Sequence, residues 1–435
     1  MASILITNPP VTGARFREDQ PMGIVYLGTA LKNSGHEVIV HDTQLDNTSP
    51  MDVVREFKPE YVGISLTTNQ RLQAFRLCRE VKDYDPGITT VLGGPHCTNT
   101  GAGILRKHDS VDFIMKGYCD RRFELLVSGG CLSEIPGLTY RDDGEIKETA
   151  FDGNPDPEDF RIPDYRLLLI KKYRLRTNGI DALPLFTSRG CSNKCIFCAA
   201  GYFSPKIDFA PVELIKENID LISSMGYKAL RIQDDTFGMN RKKAYEVMEH
   251  LKEKGMIYSI KSRIELMDRD FLFDLAKTGC YGIKFGVESI VPHVLKRMNK
   301  RLDLDKLEDI ITNGIAQGIQ LGAYMMIGNP TESFDDAMAS IRYCEELLRR
   351  GVIPLGTIGC YIFPGTLLES ISKEEGALKE DFDWADHYDE PLNKTIGYNT
   401  SVPVYISELL GFKELQLLRT ELRKRAFVFD LLVQF

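Results

Sequence analysis

Two α/β units in tandem are what this sequence predicts: a doubly wound parallel sheet, then an open partial (β/α)6 barrel, then a small α-rich C-terminal region. Three observations predict it. Short apolar strands alternate with amphipathic helices through residues 1–135, a turn-rich charged stretch follows within 136–178, and six further strand–helix units fill 179–375, leaving 376–435 as the C-terminal region. A loop bearing three closely spaced cysteines follows the first strand of the second unit.

In the first unit, Ser3-Ile4-Leu5-Ile6-Thr7 reads as a buried strand stopped by Asn8-Pro9-Pro10, because proline cannot donate to a sheet ladder. From 23 to 34, Ile24, Leu27 and Leu31 share one helical face, and Gly35 supplies the stop. A strand at 37–41, a helix at 51–57, a strand at 61–66, a helix at 71–82, strands at 88–92 and 111–115, and a helix at 122–127 complete the pattern. Five short apolar strands alternating with helices make a Rossmann-like sheet, whose ligands bind beyond the carboxyl ends of the strands. Those ends carry Asn8, Pro9 and Pro10; Ser65, Leu66, Thr67, Thr68 and Asn69; Gly93, Gly94, Pro95 and His96; and Lys116 and Gly117. They are mostly small or polar, and let a backbone approach a large flat ligand. A hairpin is expected at 137–149 around Asp142-Asp143-Gly144, then a linker at 152–159 closed by Ile162-Pro163.

The second unit places strands at 183–187, 229–233, 258–262, 282–287, 321–327 and 355–363, with amphipathic helices at 212–222, 243–252, 269–276, 304–316 and 337–348. Functional groups in such barrels gather at the carboxyl ends of the strands. Beyond it, Trp384, Tyr388, Tyr398 and Tyr405 precede a charged helix at 412–425; these aromatics either cap a substrate cavity or simply pack.

The chain has 435 residues, with Lys plus Arg at 54 against Asp plus Glu at 62, a net charge of −8, so no global field favours nucleic acid or an anionic membrane. No apolar run is long enough to span a bilayer and no signal-peptide pattern opens the chain, so the expected location is the cytosol and no membrane insertion is expected. Ten cysteines in a chain of this length are too sparse for a disulfide framework.

Three of them, Cys191, Cys195 and Cys198, stand four and three apart in Ser188-Arg189-Gly190-Cys191-Ser192-Asn193-Lys194-Cys195-Ile196-Phe197-Cys198. Three thiolates make an incomplete zinc cage, and no second Cys or His pair stands nearby. A four-iron cluster suits the set better and leaves one iron with a vacant position. The competing reading is three buried, inert thiols.

C-x-x-x-C-x-x-C with Phe197 before the last cysteine resembles the signature of radical S-adenosylmethionine (SAM) enzymes, in which SAM binds the open iron of a [4Fe-4S] cluster. Later segments are similar to the same family. Gln233-Asp234-Asp235-Thr236-Phe237 follows the second strand and resembles a D-D-x-F segment, implying a SAM amino-group contact from Gln233 or Asp235; the alternative is a capped turn. Arg263 follows the third strand, either to pair with SAM's carboxylate or to form a surface ion pair. Gly286-Val287-Glu288-Ser289 resembles the ribose-side G-x-E-S, Gly328-Asn329-Pro330 the adenine-side G-x-P turn, and Pro364-Gly365-Thr366 the family's P-G-T.

The first third of the chain resembles the cobalamin (B12)-binding domain that precedes many radical SAM cores, on Asn8-Pro9-Pro10, Pro21-Met22-Gly23, Tyr26-Leu27, Gly35-His36-Glu37-Val38, Val62-Gly63-Ile64-Ser65 and Gly93-Gly94-Pro95-His96. Two features depart from it. Gly117-Tyr118-Cys119-Asp120 stands where the family shows Gly-Glu-x-Glu, and the D-x-H-x-x-G motif that gives cobalt a histidine is missing, so no histidine is expected on the metal's lower face. A flavodoxin-like sheet without a corrinoid is the other reading of this unit.

The resemblance implies a class B radical SAM methyltransferase. It would methylate an unactivated carbon, releasing both 5′-deoxyadenosine and S-adenosylhomocysteine, with a reductase such as ferredoxin or flavodoxin supplying electrons. A cobalamin-dependent enzyme that cyclises, rearranges or oxidises, and a non-catalytic iron–sulfur or corrinoid-binding protein, are the rivals. The acceptor is expected to be a peptide or protein side chain. One branch of the family methylates a glutamine of methyl-coenzyme M reductase, but no motif here selects it.

Overall fold

The N-terminal alternation forms the expected doubly wound sheet because its apolar strands can be covered on both faces only by the helices between them. The structure, a computed structural model, describes residues 1–9, 20–45, 48–153, 160–168, 170–386 and 402–424. In order, this unit contains β1 (Ser3–Asn8), α1 (Met22–Asn33), β2 (Glu37–Asp42), α2 (Pro50–Phe57), β3 (Tyr61–Ser65), α3 (Arg71–Tyr84), β4 (Thr89–Gly93), α4 (Gly101–Lys107), β5 (Phe113–Met115), α5 (Asp120–Val127), β6 (Leu138–Asp142) and β7 (Glu145–Glu148). The sheet order is β2-β1-β3-β4-β5-β6-β7, parallel through β5. Ile24, Leu27 and Leu31 of α1 pack with Phe123 and Leu126 of α5 on one face; residues of α2, α3 and α4 cover the other.

The hairpin belongs to this sheet rather than to a linker. β6 pairs antiparallel with β5, Thr139 opposite Ile114, and its turn uses left-handed backbone at Asp143 and Gly144 (φ 47° and 83°). Helix α4 was not foreseen, since two glycines in seven residues mask its apolar Ile104 and Leu105.

The second unit contains β8 (Arg176–Thr177), β9 (Ile180–Leu185), β10 (Ser188–Arg189), α6 (Ala200–Phe203), β11 (Asp208–Phe209), α7 (Val212–Ser224), β12 (Ala229–Ile232), α8 (Arg241–Glu253), β13 (Ile257–Ser262), α9 (Arg269–Lys277), β14 (Cys280–Glu288), α10 (Pro292–Arg297), α11 (Leu304–Ala316), β15 (Gln320–Ile327), α12 (Phe334–Arg349), β16 (Ile353–Ile358), α13 (Leu367–Glu374) and α14 (Phe412–Lys424). Its main sheet runs β16-β15-β14-β13-β12-β9-β8, six parallel strands with β8 antiparallel at the edge. The sixth strand is shorter than the 355–363 expected, because Gly359 turns left-handed (φ 91°) and ends the pairing.

Several contacts fasten the two units together. Met22, Val25 and Tyr26 of α1 pack into the barrel's own core. Asp164 bridges to Lys32 at 2.9 Å, and Tyr173 donates to Asp42 at 2.6 Å. On the far side, Asn99 donates to the Pro364 carbonyl at 3.3 Å and Lys107 pairs with Asp383 at 3.0 Å. Helix α14 buries Leu415, Leu418 and Leu422 in the barrel core, each worth about 1.5–3 kcal/mol. Arg425, Tyr388, Tyr398 and linker residues 154–159 lie outside the described residues.

Candidate active site

The cysteine loop is held by its backbone. β10 pairs antiparallel with β11, Ser188 opposite Phe209, and at Gly190 (φ 88°) any Cβ would run into the Lys206 carbonyl. Asp234 anchors the approach: its carboxylate accepts from the Thr187 N–H at 2.7 Å, the Ser188 hydroxyl at 2.8 Å and the Thr187 hydroxyl. Further on, Cys191 N–H donates to Ser204 O at 3.1 Å, Ile196 N–H to Met298 O at 3.1 Å, and Leu368 N–H to Ile196 O at 2.9 Å. The loop is therefore tied to α6, to the end of α10 and to the start of α13.

Cys191 and Cys195 are buried and Cys198 is half-buried. Asn193 Nδ2 donates to Cys191 Sγ at 3.4 Å, and Arg263 Nη1 to Cys195 Sγ at 3.7 Å. Burial pushes the Cys198 thiol up to about 11. Three thiols on one short loop, two of them met by N–H donors, make a donor set that fits an iron–sulfur cluster. Among the described residues no three or more His, Cys, Asp or Glu side chains gather around a single ion's position, and a cluster does not ask for that, since each thiolate bonds a different iron.

Around this loop the barrel strands end in the predicted residues. Gln233 follows β12, with its N–H on Leu185 O at 2.8 Å. Asp235 opens into the interdomain cavity, and burial raises its carboxyl against the opposing pull of Lys261. Arg263 follows β13 and pairs with Glu265 at 2.8 Å. Glu288 closes β14 with left-handed backbone (φ 67°), unusual away from glycine and typical of functional sites; burial raises its carboxyl, opposed by Lys300 at 3.7 Å. Ser289 is fully buried, its hydroxyl accepting from Val291 N–H at 3.2 Å, so it shapes the turn. Gly328 (φ 95°) ends β15, and Phe197 packs with Met326, Cys360 and Leu368. Polar groups and bare backbone thus converge at one end of the barrel, a donor set that fits SAM.

Glu332 was missed at this end. Fully buried, it accepts from Gly328 N–H at 2.6 Å and Asn329 N–H at 2.9 Å, and burial lifts its carboxyl from 4.5 to about 7. The signal was a Glu directly behind the Gly-Asn-Pro turn. A carboxyl raised this way stabilises the fold fully below its unfolded value near 4.5 and loses that contribution as pH rises through about 7. Glu332→Gln keeps an acceptor for both N–H groups and cannot charge. From about pH 5 to 8 its stability should therefore fall by roughly 3 kcal/mol less than that of the wild type; parallel pH profiles for the two proteins would refute this.

Opposite the barrel end, the ends of β3, β4 and β5 face the same space across a cavity of about 410 Å³. Ser65, Gly93, Gly94, Pro95 and Gly117 line it from the N-terminal sheet, and Phe186, Arg189, Ala199, Phe203 and Asp235 from the barrel. It continues between the sheet and α1 and α5 along Leu27, Ile64, Val91, Met115 and Phe123. At the sheet end Asn8 is buried, its side-chain amide without a partner among the described residues. Bare glycine backbone, an apolar recess and an orphaned amide fit a large flat corrinoid with a bulky tail.

Other predicted cobalamin residues do not reach the cavity lining. Thr67 is taken up in a capping box with Gln70, and Thr68 meets His96 Nδ1 at 3.3 Å. His96 is fully buried between Phe75 and Trp384, and burial pushes its imidazole down to about 3. Lys116 turns to Glu148 at 2.7 Å because the hairpin brings that strand alongside. Pro9 is described and offers its carbonyl to Gln70; Pro10 lies outside the described residues. Trp384 packs over Arg71 and donates to Glu369 at 2.7 Å, and Tyr405 bonds Glu375, so the described aromatics of the C-terminal region serve packing.

Arg189 joins the two walls. Its guanidinium meets Asp120 at 3.3 Å, with side chains only 5% and 8% exposed, and lies over the rings of Tyr26, Tyr118 and Phe160 at 5.2, 4.7 and 5.1 Å. Burial raises the Asp120 carboxyl and Arg189 opposes it. Asp120 occupies the segment that departs from Gly-Glu-x-Glu, and that departure was the available signal.

Two family models match the chain, and proteins of known name or structure resemble it. Residues 12–127 match the family model of the B12 binding domain, and 185–367 that of the Radical SAM superfamily. An uncharacterized methyltransferase of Pyrococcus horikoshii is 26% identical over 364 residues, covering 79% of this chain and 78% of that protein. Cytidylyl-2-hydroxyethylphosphonate methyltransferase of Streptomyces wedmorensis is 27% identical, covering 79% and 77%. The fold is shared with the radical SAM methyltransferase TsrM from Kitasatospora setae, solved with cobalamin and a [4Fe-4S] cluster bound, at a TM-score of 0.75 and 15% identity over 96% of this chain and 91% of that one. The chain thus carries a B12 binding domain followed by a Radical SAM domain, the arrangement of the cobalamin-dependent radical SAM enzymes, the class B methyltransferases, whose cofactors are a [4Fe-4S] cluster, SAM and cobalamin.

Proposed function

We propose that this enzyme methylates an unactivated carbon of its substrate inside the cavity between the two domains. One observation carries the reading: the glycine-lined strand ends and the residues flanking the three cysteines, Arg189 and Ala199, line opposite sides of one cavity. Cys191, Cys195 and Cys198 would hold the cluster; Phe197, Gln233, Asp235, Arg263, Glu288 and Gly328 would surround SAM, with Ser289 shaping the turn behind Glu288; and Asn8, Ser65, Gly93, Gly94, Pro95 and Gly117 would hold the corrinoid, with no histidine offered to its metal. When bound, the cluster and SAM supply radical hydrogen abstraction, and the cobalamin a transferable methyl group. The chain's own residues position and enclose. Arg189 and its three rings close the space between the domains, Asn193 and Arg263 donate to the ligating sulfurs, and apolar walls exclude water that would quench a radical.

The reading includes a low-potential reductase such as ferredoxin or flavodoxin, a cytosolic setting and no nucleic-acid partner. Among the described residues no helix is long and apolar enough to cross a membrane. A peptide or protein side chain, including the glutamine of methyl-coenzyme M reductase, is the first acceptor to test. The test is anaerobic incubation of reconstituted enzyme with methyl-labelled SAM and host extract. Label should appear on carbon, with one 5′-deoxyadenosine and one S-adenosylhomocysteine released per methyl transferred. Deoxyadenosine without matching S-adenosylhomocysteine would mark a cyclising, rearranging or oxidising enzyme, and no SAM cleavage at all a non-catalytic protein.

A further inference from the structure

We propose that the open groove between α10 and α11 is the docking face of the electron donor, an acidic one-electron carrier protein of the flavin or iron–sulfur type. The inference rests on the reading that the cysteine loop carries a redox cluster. The step it serves moves one electron from the reduced carrier to that cluster; no bond forms or breaks, and the carrier leaves oxidised by one electron.

Position is the first argument. The groove encloses about 610 Å³, and its lining includes Glu265, Lys296, Asn299, Lys300 and Arg301. It backs directly onto the cysteine loop: Asn299 Nδ2 donates to Lys194 O at 2.7 Å, and the preceding Met298 carbonyl accepts from Ile196 N–H at 3.1 Å. From the groove inward, Glu265 accepts from Arg263 Nη2 at 2.8 Å, and Arg263 Nη1 donates to Cys195 Sγ at 3.7 Å. Two contacts therefore separate a groove-lining side chain from a cluster thiol.

Charge is the second. A protein of net charge −8 repels an acidic partner except where local cations outweigh the field. Lys296 and Arg301 are exposed, and among the described residues neither has an ion-pair partner. Exposed Lys194 adds a third cation on the cysteine loop itself, its ammonium on the Gly201 carbonyl at 2.7 Å. Of the groove's acids, Glu265 is engaged by Arg263, and Asp303 accepts from the N–H groups of Asp305 and Lys306 at 2.9 and 3.1 Å. The cations also sit on a fixed turn: Asn299 is left-handed (φ 53°), and the buried Lys300 ammonium points inward to Glu288 at 3.7 Å. A rigid cationic rim one loop from the thiols suits brief, electrostatically steered docking.

The test compares wild type with Lys296→Glu/Arg301→Glu and the milder Lys296→Gln/Arg301→Gln, using a bacterial flavodoxin and a bacterial ferredoxin as probes. By calorimetry at low salt, wild type should bind at least one carrier, with affinity falling as salt is added. The Glu double variant should bind about tenfold more weakly and the Gln variant in between. Carrier-driven 5′-deoxyadenosine formation should fall in parallel, while dithionite-driven formation stays at the wild-type rate. Wild-type affinity of the double variants for both carriers would overturn the proposal. Failure of dithionite to drive SAM cleavage in the wild type would instead overturn the functional reading beneath it.

Discussion

Alanine at Cys191, Cys195 or Cys198 removes the iron and all SAM cleavage while leaving the fold intact. The loop's anchors explain the separation. Cys191 N–H to Ser204 O, Ile196 N–H to Met298 O, and Asp234 on Thr187 and Ser188 all act through backbone or hydroxyl groups, none through a thiol. With these three thiolates as its proposed ligands the cluster has none to spare, so losing one strands an iron. Cys195→Ala also leaves Arg263 with Glu265 as its partner at 2.8 Å, so no charge is orphaned. Iron analysis, the visible charge-transfer band and 5′-deoxyadenosine formation should all fall to background with an unchanged melting temperature. Retained iron together with SAM cleavage in any of the three variants would contradict the ligand assignment.

Arg189→Ala costs stability steeply, by about 3–5 kcal/mol, because it leaves the Asp120 carboxylate buried without its partner. It also removes a guanidinium lying on three rings, each contact worth roughly 0.5–2 kcal/mol in a desolvated setting. The pair joins the start of α5 to the strand before the cysteines, so the loss should appear as separation of the two domains. Asp120→Ala/Arg189→Ala removes both charges together, and its cost should fall below the sum of the single changes by at least about 1 kcal/mol. Urea unfolding of the four proteins gives the cycle. Strict additivity would show that the two residues do not act as a pair.

Much of the architecture was legible because it is local. Period-two and period-3.6 apolar patterns located all eleven parallel strands within a few residues, and the turn Asp142-Asp143-Gly144 marked the hairpin. Misreadings arose where local signals conflicted with packing. Glycines hid α4, and nothing in residues 137–149 says that β6 will add to β5 rather than stand alone. The strand-end motifs were visible as short strings, but which side chain of each string faces the site was not. Of Asp234 and Asp235, the first holds the loop and the second opens into the cavity. His96, the histidine expected at the ligand face, turns inward against Phe75 and Trp384.

By itself, then, the sequence determined the two α/β units, their order and the three thiols that mark the radical chemistry, because each depends on residues adjacent in the chain or one helical turn apart. Only the tertiary structure decided that the two units share one cavity and that Arg189 and Asp120, 69 positions apart, join its walls. It alone set the basic rim beside Asn299 against the cysteine loop, 105 positions from Lys194. Ion pairs and cavities of this kind are set by how independent surfaces meet, and charges brought together from distant parts of a chain leave no local pattern to read.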